Sequence, residues 1–414
     1  MSSFWHPFSN MAAVAGSELV IDRGDGVYVY DIDGKRYLDG TASLWYANIG
    51  YGRDEIGAAM AAQSARLAAF HTFGDFANPA VLQLADRLSG LAPVSGSKVF
   101  FTSGGSDSVD TAAKLTRRYF SEIGQPDRTV FIVREWAYHG MHAYGTSFAG
   151  MRPNLDGHGP MVEDVVRVPY DSVDYLMDTI DLVGPDRIAG LYCEPVIGAG
   201  GVRPAPAGYL KQATRVVEDA GALFIADEVI TGFGRVGDWF ASSRFSLEPD
   251  IVTFAKGVTS GYAPLGGVLV SPRVAEPFWT GDGAMWRHGY TYSGHPVACA
   301  AAEVNLDIIE KEGLLARALE LETELMDALA PLADHPAVGY VRGGVGVMAA
   351  VQLADAVLAE CPDAPARAAA ATREAGVITR AIGGGGLQAS PPLIITRDQL
   401  DEFAAGLRTG LDAI

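Results

Sequence analysis

One lysine and one acidic pair sit where chemistry is expected. Two short apolar runs, Leu223–Ala226 and Ile251–Ala255, read as buried strands; the first leads into Asp227-Glu228 and the second into Lys256. Open α/β sheets bind ligands at the carboxyl ends of their strands, so an acid and an amine delivered there suggest a site more than a bare ion pair. A partly desolvated lysine can shed its proton and attack a carbonyl carbon. An aspartate beside it can hold a cation such as a protonated ring nitrogen. A Schiff-base lysine with an acid facing a pyridinium is the pair that pyridoxal phosphate chemistry requires.

A second run, KVFFTSGGSDSVDTAAKLTRRYF, offers an anion site. A strand over 98–102 enters Ser103-Gly104-Gly105-Ser106, and a helix follows from about Ser106, with Val109, Ala112, Ala113, Thr116 and Phe120 on one face. Glycines let backbone amides approach a phosphate closely, and a helix N-terminus favours negative charge. No Gly-Lys-Ser/Thr follows, so this is not a P-loop; alone, it reads equally well as a plain strand-to-helix turn. Tyr138, at another strand end, can stack on a flat ring. His139 is a polar wall or a structural histidine. Glu194, at a third strand end, reads as a partner for an arginine, with Arg235 the candidate. Thr291, Tyr292 and Ser293 precede a helix opened by His295-Pro296; they are a second phosphate contact or simply caps.

These residues need a frame. From 54 to 300, strand-like runs at 98–102, 129–134, 188–193, 223–226, 251–254 and 268–270 alternate with helix-length segments. That alternation predicts an α/β fold with a mainly parallel sheet flanked by helices. A hairpin is expected at Val27–Tyr30 and Arg36–Leu38 around Asp33-Gly34. After a helix from Ala301 to about Ala330, the chain reads as four short strands and a final helix with a capping box, Thr396 with Gln399. The expected division is a small α+β domain from 1–45 and 300–414, and a large α/β domain over 46–299. Phe4, Trp5, Phe8 and Trp45 read as core or as a pocket wall. With 414 residues, 49% hydrophobic and 20% charged, the chain is globular. A net charge of −19 argues against nucleic acid or an anionic membrane surface, and three scattered cysteines indicate neither disulfides nor a metal site. No apolar run approaches membrane length and no signal segment is evident, so the expected location is the cytoplasm.

The whole chain resembles the class III aminotransferases, pyridoxal phosphate enzymes of fold type I. The likeness runs from HPF at 6–8 through LDGTASLWYANIGYG, SGGSDSVDTA, YHG, EPVIGAGG, ADEVITGFGR, FAKGVTSGYAPLGG and TYSGHP to SPPLIIT. Within the class it is most similar to the pyruvate-linked ω-transaminases. The resemblance implies that Lys256 and Asp227 are catalytic, with Lys256 forming the Schiff base and shuttling a proton while Asp227 pairs with the pyridine nitrogen. Val229 would pack under the ring and Tyr138 over it; Ser103, Gly104, Gly105 and Ser106 would hold the phosphate, with His139 and Glu194 also at the cofactor. Thr291 would reach over from a second subunit, which implies a homodimer, paired into tetramers or not. Phe8, Trp45 and Phe73 would wall the amine pocket and Ala199 limit its depth. Arg380 would swing in to clamp a carboxylate and swing out for an uncharged amine, a use suited to its planar fork. Gly383–Gly386 would loosen that loop or simply turn between strands. The implied reaction is ping-pong transfer from a primary amine or ω-amino acid to pyruvate or a similar 2-oxo acid. The alternatives are a diaminopelargonate, ornithine or γ-aminobutyrate aminotransferase linked to 2-oxoglutarate, a glutamate-semialdehyde-type aminomutase, or a binding module without turnover.

Overall fold

The computed structural model describes residues 3–414. Its centre is a seven-stranded sheet in the order Lys98–Thr102, Gly266–Val270, Ile251–Phe254, Leu223–Asp227, Ile188–Cys193, Val130–Arg134, Val165–Val168. Only Gly266–Val270 runs antiparallel to its neighbours; the other pairings are parallel. The strands Ile188–Cys193, Leu223–Asp227 and Ile251–Phe254 are buried along their whole length, as parallel strands covered by helices on both faces must be. That burial is why they read as unbroken apolar runs. Edge strand Val165–Val168 was not anticipated; it is four residues long, with an exposed arginine inside it.

Strands Ile21–Asp25, Tyr28–Asp31 and Arg36–Asp39 form an antiparallel sheet, and Val377–Ile378 joins it parallel to Arg36–Asp39. The Asp33-Gly34 turn is present, with Gly34 at φ 82°. A second sheet holds Val338–Arg342, Ala349–Leu353, Gly386–Ala389 and Ala381–Ile382. The helix expected from Ala301 to about Ala330 is instead two, Pro296–Lys311 and Leu314–Leu329. Gly313 separates them in the left-handed region at φ 63°, where a glycine carries no Cβ penalty. The last helix, Arg397–Leu411, has the Thr396–Gln399 capping box and buries Leu400, Phe403, Leu407 and Leu411. Among the described residues, no helix is long and apolar enough to cross a membrane, and no His/Cys/Asp/Glu cluster could hold a metal.

Candidate active site

Asp227 ends its strand opposite Thr253 of the parallel neighbour. Its Oδ1 accepts from Thr253 Oγ1 at 3.0 Å and from the Val229 amide at 3.1 Å. Oδ2 lies 2.6 Å from His139 Nδ1, and both side chains are buried. Three hydrogen-bond partners around one buried carboxylate fix its plane. Lys256 follows the next strand over, in the left-handed region at φ 47°. Its ammonium has no hydrogen-bond or ion-pair partner among the described residues. Burial pulls its pKa down from 10.5 to about 8, and Arg380 pushes the same way; Asp227 and Glu194 partly offset them. The result is an amine that is largely neutral just above pH 8 and able to attack.

Both residues line one cavity of about 370 Å³, with Ser103, Gly104, Gly105, Ser106, Tyr138, His139, Glu194 and Val229. One wall is the start of helix Gly105–Glu122. The Ser103 amide donates to Asp107 Oδ2 at 3.1 Å, and Ser106 Oγ accepts from the Met141 amide at 3.1 Å. Ser108 Oγ donates to Phe254 O at 3.1 Å and so ties this turn to the strand that leads to Lys256. A Cβ on Gly105 would stand 3.0 Å from Val229, and one on Gly140 would overlap Ser106. The glycines are there because backbone must come close. An unpartnered amine, an oriented acid on the neighbouring strand and a glycine-lined helix start fit an aldehyde, a ring nitrogen and a phosphate respectively.

Glu194 does not pair with Arg235. Its two carboxylate oxygens accept from the amides of Tyr138 at 3.1 Å and Gly198 at 2.9 Å, while its backbone oxygen takes the Arg134 guanidinium. Burial pushes its carboxyl upward in pKa, against His139 and these amides. Arg235 is buried elsewhere, bonded to Asn48 Oδ1 at 2.6 Å and to the carbonyls of Val347 and Pro391. Amide donors from a neighbouring turn leave no trace in residue type, so Glu194 looked as though it needed a cation. What it does is set the turn that presents Tyr138.

The class III aminotransferase profile matches residues 11–411. The chain belongs to that family. It is 37% identical to the diaminobutyrate–2-oxoglutarate transaminase of Halomonas elongata over 93% of this chain and 88% of that one. It is 36% identical to the putrescine–pyruvate aminotransferase of Pseudomonas aeruginosa over 95% of this chain and 90% of that one. The solved structure of a pyridoxal phosphate-bound amine transaminase from an uncultivated Pseudomonas species superposes with a TM-score of 0.94 at 40% identity, covering 100% of this chain and 99% of that one. The protein is a transaminase of the α/β fold type I class, and its cofactor is pyridoxal phosphate.

The remaining residues singled out in this aminotransferase lie around the cavity rather than on its lining. Arg380, half-buried, donates from Nε to Gln388 Oε1 at 2.6 Å. Its terminal nitrogens meet no carboxylate within 4 Å among the described residues, and its charge acts on both Lys256 and Tyr138. Phe8 is 73% exposed, with its ring 6.4 Å from that of Tyr138; Phe4 and Trp5 are exposed too, so none of the three is core. Trp45 is core, packed with Val196, Ile230 and Met348. It gets there because Ala42, Ser43 and Trp45 all take left-handed φ, and the cavity lining goes to the next residue, Tyr46. Tyr46 lies within the LDGTASLWYANIGYG stretch, where its type alone does not set it apart from Trp45. Phe73 is exposed beside Phe70 and Phe76, and Thr291 is exposed in a turn; neither reaches the cavity within one chain. Ala199 O accepts from Gly383 N at 3.0 Å. The glycine run Gly383–Gly386 is a packed turn between two strands, since a Cβ on Gly383 would stand 2.9 Å from Gly200.

Proposed function

We propose that this enzyme is an ω-aminotransferase that moves an amino group from a primary amine or ω-amino acid to pyruvate or a similar 2-oxo acid by a ping-pong route. Arg380 carries the reading: one guanidinium beside Lys256, free of any carboxylate, suits a site that takes a carboxylate in one half-reaction and an uncharged amine in the other. The putrescine–pyruvate and amine-transaminase relatives support the same substrate pair.

In this reading the bound cofactor supplies an aldehyde carbon and an electron-accepting ring. Asp227, held by His139, Thr253 and Val229, would pair with the ring nitrogen and keep a proton on it. Ser103 through Ser106 grip the phosphate, Val229 and Tyr138 hold the two ring faces, and Glu194 fixes the Tyr138 turn. Lys256, made less basic by burial, would take the proton from the donor carbon and return it one position along. Tyr46 on the lining and Phe8 beside Tyr138, with Ala199 at the far end, bound the space for the donor's organic group.

Thr291 completes the phosphate site of a second copy, so the working form is a cytoplasmic homodimer. Exposed Phe70, Phe73 and Phe76 and three free cysteines support this. The pairing of Arg36–Asp39 with Val377–Ile378 supports reading 1–45 and 300–414 as one small domain against 46–299. A 2-oxoglutarate acceptor is the second reading, favoured by the Halomonas relative. The test loads the protein with pyridoxal phosphate and follows its absorbance on adding single amines, then restores it with pyruvate or 2-oxoglutarate. Pyruvate restoring it faster supports the proposal; restoration by 2-oxoglutarate alone overturns it for the second reading. Lys256→Ala abolishes both the yellow colour and turnover.

A further inference from the structure

Helix Pro296–Lys311 turns an apolar face inward, with Ala298, Ala301, Ala302, Leu306 and Ile309 buried. Asn305 stands in the middle of that face and is completely buried. Burying an amide among hydrocarbon is unfavourable unless its hydrogen bonds are made. Asn305 makes them in one place. Its Nδ2 donates to Gly257 O and to Val258 O, both at 2.9 Å. These carbonyls belong to the turn that begins at Lys256. Asn305 Oδ1 has no partner, so the side chain contributes only its two donors.

The turn it grips is one the chain does not adopt freely. Lys256 has φ 47°, a left-handed conformation disfavoured for a residue with a Cβ. A Cβ on Gly257 would stand 2.7 Å from Asn48 Nδ2, so Gly257 is packed close to Asn48 as well as bonded to Asn305. Strain of this kind persists only where the surroundings over-determine it.

We infer that Asn305 is a positioning residue for Lys256, holding the Gly257 and Val258 carbonyls so that the lysine stays left-handed and its amine stays in the cavity. The inference rests on the reading of Lys256 as the reacting amine. Loss of the two donors frees the turn to relax toward an ordinary backbone conformation and carries the amine toward water. Burial is the first cause of its low basicity, so such a movement shows in its titration.

The experiment uses the full-length protein freed of cofactor. Acetic anhydride is applied across a pH series, and the extent of modification at Lys256 and at exposed Lys211 is read by peptide mass spectrometry. In the wild type, the burial of Lys256 sets an expected midpoint near 8. Asn305→Ala raises that midpoint by about one unit or more, toward the ~10.4 of a free lysine, and leaves Lys211 unchanged. An unmoved midpoint in a folded variant overturns the inference, even if its melting temperature falls, because a merely structural asparagine predicts that pattern. Asn305→Ser, which keeps one donor, gives a smaller shift in the same direction. It decides the matter if the alanine variant does not fold, and a wild-type midpoint there overturns the inference equally. Because this titration needs no cofactor, failure of the functional reading shows separately, as a wild-type protein that stays colourless with pyridoxal phosphate.

Discussion

His139 Nδ1 and Asp227 Oδ2 are 2.6 Å apart, and neither group is open to water. With Nδ1 as the donor to that carboxylate, Nε2 has no partner among the described residues, and the His139 and Tyr192 rings stand edge to face with centroids 4.7 Å apart. The histidine's contribution is a single donor that holds the carboxylate plane in line with the cavity. Replacing it by an apolar ring of similar size isolates that contribution. His139→Phe leaves one buried carboxylate oxygen short of a donor and costs about 1–3 kcal/mol of stability. Chemical denaturation of the two proteins measures it, and weaker retention of pyridoxal phosphate on dialysis accompanies the loss.

Lys256 gives a pH dependence whose sign follows from its lowered pKa. Unfolded, the amine titrates near 10.5; folded, near 8. Between those values the unfolded chain binds more protons, so stability of the cofactor-free protein rises as pH increases from about 8 and levels off above about 10.5. Below pH 8 the full penalty of charging a buried amine is present. Lys256→Met removes this component. Wild type minus variant, followed by thermal melts from pH 7 to pH 10, therefore gives a positive slope; a flat difference contradicts the assigned environment.

How much of this was readable in the residues depends on what kind of partner each one has. Lys256 and Asp227 were legible because fully buried parallel strands appear as apolar runs that stop at the functional residue. Gly105 was legible because a Cβ there would stand 3.0 Å from Val229, whereas a Cβ on Gly104 would meet nothing. Glu194 was misread because its partners are the amides of Tyr138 and Gly198, which any residue could supply. Trp45 sank into the core through a succession of left-handed residues that no local propensity favours. Asn305 went unnoticed because a polar residue on an apolar helix face gives no hint of which distant carbonyls it meets. Local pattern located the strand ends; long-range hydrogen bonding decided what stands behind them.

Under the proposed function, Arg380 separates substrates by charge. Its Nε is committed to Gln388 and its terminal nitrogens are free to bind, so a carboxylate gains a charge-assisted, two-point contact that an uncharged amine never makes. Arg380→Leu lowers kcat/KM for pyruvate by about 10- to 100-fold, the equivalent of about 1.5–3 kcal/mol for hydrogen bonds to a charged group. The first half-reaction with an uncharged arylalkylamine falls much less. Stopped-flow measurement of each half-reaction gives the ratio, and an equal loss on both sides removes Arg380 from substrate recognition.

Gly140 tests the phosphate site without touching a charged group. It lies at φ 86°, and a Cβ there would run into Ser106, whose hydroxyl already accepts from the Met141 amide. Gly140→Ala therefore combines two costs: about 1–2 kcal/mol for a side chain in the left-handed region, and displacement of Ser106 from the helix start. Both fall on the segment between Ser106 and the Tyr138 turn. The expected outcome is a protein that still folds and still forms its yellow complex at high pyridoxal phosphate, with cofactor affinity weakened at least tenfold in an absorbance titration. Loss of colour at saturating cofactor would instead mean that the Ser106 turn helps to place Lys256, a link for which the Ser108–Phe254 bond offers a route.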